Sequence, residues 1–208
     1  MPAPAGGGGE AFLCFLAFAA ALVLSPLAGS AGRPLRPSLL CSAGALAAFL
    51  PVFALRGEGF RAAVLAGGML SSFTLLLAGC SAGVARLAGR PAAGVAAAAL
   101  LGALCLASFH LGDPFLEWGG PGASSKTVLS ALHLANPASG AVGRALGIDW
   151  LRLSIMYRGF PGHVGSGLSA ASFYVYRFPP WWWFPVVFGG GGILLLLAAG
   201  LRKAGDPR

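Results

Sequence analysis

The chain has 208 residues, of which 57% are hydrophobic and only 10% are charged, and its mean hydropathy is +0.79. Soluble domains carry about 25% charged residues, so this chain has too few charges to cover a surface that faces water. The sequence therefore predicts an integral membrane protein. The net charge of +8 comes from basic residues that lie singly or in pairs between apolar runs. This spacing does not form the basic face of a nucleic-acid-binding protein, and we expect no nucleic-acid partner.

Five apolar runs predict an all-α protein with about five transmembrane helices. A helix needs roughly 20 apolar residues to cross a bilayer, and after a flexible N-terminus (1–10) the runs cover residues 11–29, 38–55, 62–84, 92–111 and 181–201. The first four form one transmembrane region, 11–111. Small residues four apart predict the faces on which helices touch. They are Gly68 and Ser72, Gly79 and Gly83, and the series Gly94, Ala98 and Gly102.

The segment 112–180 holds most of the remaining polar residues and predicts short helices rather than a long loop. Ser124 or Ser125 is suited to cap a helix that runs to Ala135 and stops at Asn136-Pro137. Residues 138–157 place apolar side chains three or four apart, which predicts an amphipathic helix. Such a helix suits either the membrane interface or a cover over the helix bundle.

The positions of the basic residues predict the orientation in the membrane. Positive residues near the ends of spans favour the cytoplasm, so the basic tail 202–208 and the two turns with Arg33 and Arg36 and with Arg86 and Arg90 should lie inside. The N-terminus and the segment 112–180 then lie outside the cell, in a multi-pass protein of the plasma or inner membrane. Trp181, Trp182 and Trp183 precede the last span and predict an anchor at the membrane interface.

No pattern in the chain predicts catalysis, a metal or a cofactor. No acidic residue lies within a predicted span, so the signature of an intramembrane proton relay is missing. The four cysteines lie singly in apolar runs and form no metal-binding spacing, and phosphate-binding and hydrolase motifs do not occur. We therefore expect a non-enzymatic chain. If it takes part in ATP-driven work, a separate subunit must bind the ATP.

Residues 77–104 resemble the fourth and fifth helices of ABC-type-2 permeases, the membrane subunits of a class of ABC exporters. In both, a small and apolar helix with a serine near its end (Ser81) leads through a basic turn (Arg86, Arg90) to an alanine-rich helix. The sequence Leu134-Ala135-Asn136-Pro137 resembles a short stretch that the family carries before its last span. The resemblance covers residues 62–208, and family members have six spans, so the first family helix would be missing here.

The resemblance implies alternating access by a homo- or heterodimer of permeases. Two ATP-binding subunits would dock on the cytoplasmic turns that carry Arg33, Arg36, Arg86 and Arg90. Two other hypotheses remain open. In one, the chain is a membrane scaffold or assembly subunit that binds a partner through residues 112–180, which the lack of an obvious polar path through the spans favours. In the other, the chain is a membrane enzyme that uses His110, Asp113, Glu117 or His163.

Overall fold

The computed structural model describes residues 8–55, 59–108, 123–143 and 180–201, and these segments are helical apart from short turns. No strand occurs in them, so the prediction of an all-α fold is confirmed. We number the helices in chain order. They are α1 (Gly8–Gly29), α2 (Leu35–Leu55), α3 (Gly59–Ala88), α4 (Pro91–Leu106), α5 (Ala123–Ala135), α6 (Pro137–Ala141), the π-helical α7 (Phe184–Gly190) and α8 (Gly191–Leu201).

The helices α1, α2 and α3 each begin three residues earlier than the hydrophobic pattern predicts, and α4 begins one residue earlier. The first turn of α3 includes Phe60 and Arg61, both of which are exposed, so these residues extend the helix without burying a charge. The turn between α3 and α4 is short because Gly89 adopts a positive φ of 65°, which glycine tolerates well. Pro91 then starts α4, where its fixed φ suits the first helical position.

The long helix α3 is the centre of the bundle and packs against α1, α2, α4, α6, α7 and α8. Phe18 and Phe73 pack with ring centroids 5.7 Å apart, and Pro26 accepts a hydrogen bond from Ser81, so α1 runs parallel to α3. The helices α2 and α4 run antiparallel to α3, and α7 with α8 runs parallel to it. The contacts that set these directions are Ser42 with Ser71, Leu46 with Gly67, Gly94 with Ser81, Gly102 with Leu77, Gly189 with Ser72, and Gly192 with Leu75.

Two helical stretches are long and apolar enough to cross a membrane. They are Phe60–Ala88 in α3, which is mostly buried in the bundle, and Phe184–Leu201 across α7 and α8, which is mostly exposed. The described parts of α1, α2 and α4 are also apolar but shorter. Many of their large apolar side chains face outward, Leu40 and Leu100 among them.

Glycine residues set the close contacts of α3 with α1, α4 and α8. A side chain at Gly29, Gly94 or Gly192 would collide with the backbone of α3 at Ala78, Ser81 and Leu75 respectively. The predicted contact series Gly94, Ala98 and Gly102 is fully buried on α4. Of the pairs predicted on α3, Gly79 touches α8 and Ser72 touches Gly189, whereas Gly68 and Gly83 have no neighbour within 4 Å of an added Cβ. These pairs therefore mark the contact face only in part.

We predict that Gly192→Ala separates α8 from α3, because its Cβ would meet the backbone of Leu75. Overpacking of this kind costs about 1–3 kcal/mol. Gly191→Ala is the matched control, since no atom lies within 4 Å of its Cβ and the lower backbone freedom of alanine stabilises by up to about 1 kcal/mol. Apparent melting temperatures in detergent should fall for Gly192→Ala and hold or rise for Gly191→Ala. Equal melting temperatures would contradict the packing described.

Candidate functional site

The two basic turns lie at the same end of the bundle. The C-terminal ends of α1, α3 and α8 meet the N-terminal ends of α2 and α4 there, because parallel and antiparallel helices alternate around α3. We call this the arginine end, and it carries Arg33, Arg36, Arg86 and Arg90. Arg86 is half-buried and the other three are exposed. The described helices carry no acidic residue at this end. It is therefore a cationic surface, suited to an anionic partner.

Buried hydroxyl groups link α3 to α1 and α2 inside the bundle. The hydroxyl of Ser81 donates to the carbonyl of Pro26 at 2.8 Å, and the hydroxyls of Ser42 and Ser71 form a hydrogen bond between α2 and α3. Polar groups therefore meet inside the bundle at α1, α2 and α3, although the sequence shows no obvious polar path through these spans. In the sequence these serines look like small packing residues, and only the helix pairing brings them together.

Asn136 joins α5, α6 and the end of α4. Its side-chain oxygen accepts a hydrogen bond from the backbone N–H of Ser139 at 3.0 Å, which caps α6. Its amide nitrogen donates to the carbonyl of Leu106 at 3.0 Å and lies 3.4 Å from the hydroxyl of Ser108. The predicted stop at Asn136-Pro137 is thus also the start of a new helix. One buried side chain holds the segment before α7 against α4.

His133 and Ser139 form a second buried contact where α5 and α6 meet the end of α4. We call this meeting point the joint at Asn136. The Nδ1 atom of His133 lies 2.8 Å from the hydroxyl oxygen of Ser139, and both side chains are almost completely buried. Phe184 packs against Gly140 and, at a centroid distance of 5.2 Å, against Phe188. His133 gives no signal in the sequence, because an isolated histidine in an apolar helix carries no pattern that reveals its partner.

The three tryptophans at the opposite end of the bundle, which we call the tryptophan end, have different environments. Trp181 and Trp182 are 62% and 46% exposed. Trp183 points inward, and its indole N–H donates to the carbonyl of Leu134 at 3.1 Å. The first two rings are free to meet a membrane interface, where tryptophan is favoured, while the third ties the start of α7 to α5.

Several predicted residues lie outside the described residues. They include the four candidates for catalysis, His110, Asp113, Glu117 and His163, and the basic residues of the tail 202–208. The amphipathic helix predicted over 138–157 is described only up to residue 143, where α6 and the two residues after it are helical and Val142 is buried. Within the described segments, no three His, Cys, Asp or Glu side chains come together as a metal site would require.

No protein-family model, no curated protein and no solved structure matches the chain. A functional interpretation therefore depends on the arginine end, the buried hydroxyls and the joint at Asn136. These features place a cationic surface at one end of an apolar bundle and an anchored helical segment at the other.

We predict that Trp183→Phe destabilises the protein by about 1 kcal/mol, the typical net value of a neutral hydrogen bond. The substitution keeps an aromatic ring but removes the donor to Leu134. Trp181→Phe is the control because Trp181 is largely exposed. A lower melting temperature for Trp183→Phe alone is expected. An equal decrease in both variants would mean that the joint does not depend on this hydrogen bond.

Proposed function

We propose that the chain is the permease subunit of an ABC-type transporter and works with a separate ATP-binding subunit. In this proposal α1, α2, α3, α4 and the continuous α7–α8 unit cross the plasma or inner membrane. The arginine end faces the cytoplasm, so the N-terminus lies outside and the C-terminus inside. ATP binds to the partner subunit and no cofactor binds to this chain. Two permease chains, identical or related, form the transport path.

The single observation that carries this proposal is the shared location of the two basic turns. Counting helices in the sequence predicts one side for both turns, and the helix packing brings Arg33, Arg36, Arg86 and Arg90 to one end. Positive residues at one end of an apolar bundle are typical of its cytoplasmic side. Exposed cations on two neighbouring turns also suit an acidic surface of a cytoplasmic subunit.

The joint at Asn136 supports the same proposal from the opposite end. In the stretch that resembles the family, Leu134 to Pro137, the last two residues are buried, and Asn136 donates a hydrogen bond to the end of α4. A segment that is anchored in this way can follow any movement of α4. This is useful in a transporter whose helices alternate between two arrangements.

The experiment is affinity purification of the tagged chain from its own cells in mild detergent, with quantitative mass spectrometry of the proteins that accompany it. We expect an ATP-binding subunit in nearly equal amount. The double substitution Arg86→Glu with Arg90→Glu should greatly reduce its recovery, because it reverses the charge of the proposed docking turn. Arg61→Glu is the matched control, since Arg61 is exposed at the other end of the bundle.

A chain that recovers no ATP-binding subunit would contradict the transporter proposal. Recovery of a different membrane protein would favour the second candidate, a scaffold or assembly subunit that binds its partner through residues 112–180. The exposed rings of Trp181 and Trp182, next to that segment, favour this alternative as a place where a partner could bind.

A further inference from the structure

Two buried hydroxyl groups near the arginine end have no hydrogen-bond partner in the described segments. They belong to Ser25 on α1 and Ser38 on α2, and both side chains are fully buried. A buried hydroxyl normally has at least one partner, either from the protein or from an ordered water. In both helices the neighbouring serines do have partners, since Ser30 donates to Leu27 and Ser42 contacts Ser71.

Ser25 and Ser38 lie at the same depth in the bundle. Each is about one helical turn from the α1–α2 turn, and they are almost equally far along the chain from Gly32 at the middle of that turn. Ser38 and Ser42 are four residues apart and so share one face of α2. Ser42 in turn contacts Ser71 on α3. Hydroxyl groups therefore extend inward from near the arginine end along α2.

Pro26 adds another polar group next to Ser25. Proline has no backbone N–H, so the carbonyl of Leu22 lacks the donor that it would have in a regular helix. The carbonyl of Pro26 itself is already occupied, because it accepts hydrogen bonds from Ser81 and from the N–H of Ser30. Water at this depth would supply the two hydroxyls with the partners that buried polar groups normally have.

We propose that water enters the bundle at the arginine end and binds at Ser25 and Ser38, between α1 and α2. The site is the outer part of a hydrated path that continues toward Ser42 and Ser71. The direction of this path, from the cytoplasm, rests on the proposed membrane orientation. The hydration of the two serines does not depend on it.

Cysteine accessibility tests this proposal in native membranes. Cys14, Cys41, Cys80 and Cys105 are first replaced by alanine, and single cysteines are then introduced. The probe is a membrane-impermeant, water-soluble methanethiosulfonate. We expect Ser25→Cys and Ser38→Cys to react with it from the same side of the membrane as Leu87→Cys, which is exposed next to Arg86. Ala66→Cys, which lies in the dry apolar core, should stay unlabelled.

The opposite result would overturn the proposal. If Ser25→Cys and Ser38→Cys remain as unreactive as Ala66→Cys while Leu87→Cys is labelled, the site is dry. Leu100→Cys tests separately whether the bundle lies in a membrane, because Leu100 is exposed on the apolar outer face of α4. If it reacts as fast as Leu87→Cys, the bundle does not lie in a membrane and the proposed function fails. Comparing the labelling of Ser25→Cys and Ser38→Cys with that of Ala66→Cys still decides whether water reaches the two serines.

A second measurement uses the natural sequence and so does not depend on the folding of the variants. Hydroxyl radicals made by X-ray radiolysis in the purified protein modify side chains next to bound water. We expect modification of Pro26, although its side chain is fully buried, and none of Phe73, which is buried in the apolar core. Protection of Pro26 to the same degree as Phe73 would overturn the proposal.

Discussion

Close backbone contact between α3 and three of its neighbours is the constraint on which the rest of the structure depends. Gly29, Gly94 and Gly192 lie against the backbone of α3, so none of these positions has room for a side chain. In a membrane the apolar driving force between helices is weak, and close packing through small residues replaces it. Once these distances are fixed, Phe18 meets Phe73 and Ser81 reaches the carbonyl of Pro26.

The close contacts also explain where hydrogen bonds between helices can form. A serine hydroxyl is short, and it reaches a neighbouring helix only when the two backbones are close. Ser42 and Ser71 meet where α2 and α3 are close enough for Leu46 to contact Gly67 one turn away. The polar contacts of this bundle are therefore a consequence of its small residues rather than an independent feature.

Much of the helical fold could be predicted from the sequence, because long apolar runs bounded by glycine, proline and arginine have a direct physical meaning. The stop at Ala135 and the close α4 contacts of Gly94 and Gly102 agree with the pattern. The helix starts were harder to predict, since Arg61 is tolerated in an exposed first turn. Whether Gly68 or Gly79 lies in a contact depends on which helix passes by, and no local signal carries that information.

Only the arginines of the candidate site could be predicted from the sequence. The arginines stand out in an apolar chain, and their proposed common side follows from counting helices. The sequence marks Asn136 as a helix stop but not as a link to α4, and it does not mark His133 or Ser139, because these contacts come from the meeting of α4, α5 and α6. Ser25 and Ser38 are also ordinary small residues in the sequence. Their importance comes from what surrounds them after folding.

The packing of α8 against α3 has a consequence for the biosynthesis of this protein. The surface of α3 at Leu75 and Gly79 is complete as soon as α3 has been made, yet its partner residues Gly192 and Leu195 are made only after α4 and the segment that follows it. Contacts between distant parts of a chain form late because loop closure must come first. A nascent chain that ends after α4 therefore leaves uncovered the face of its central helix that later receives α7 and α8.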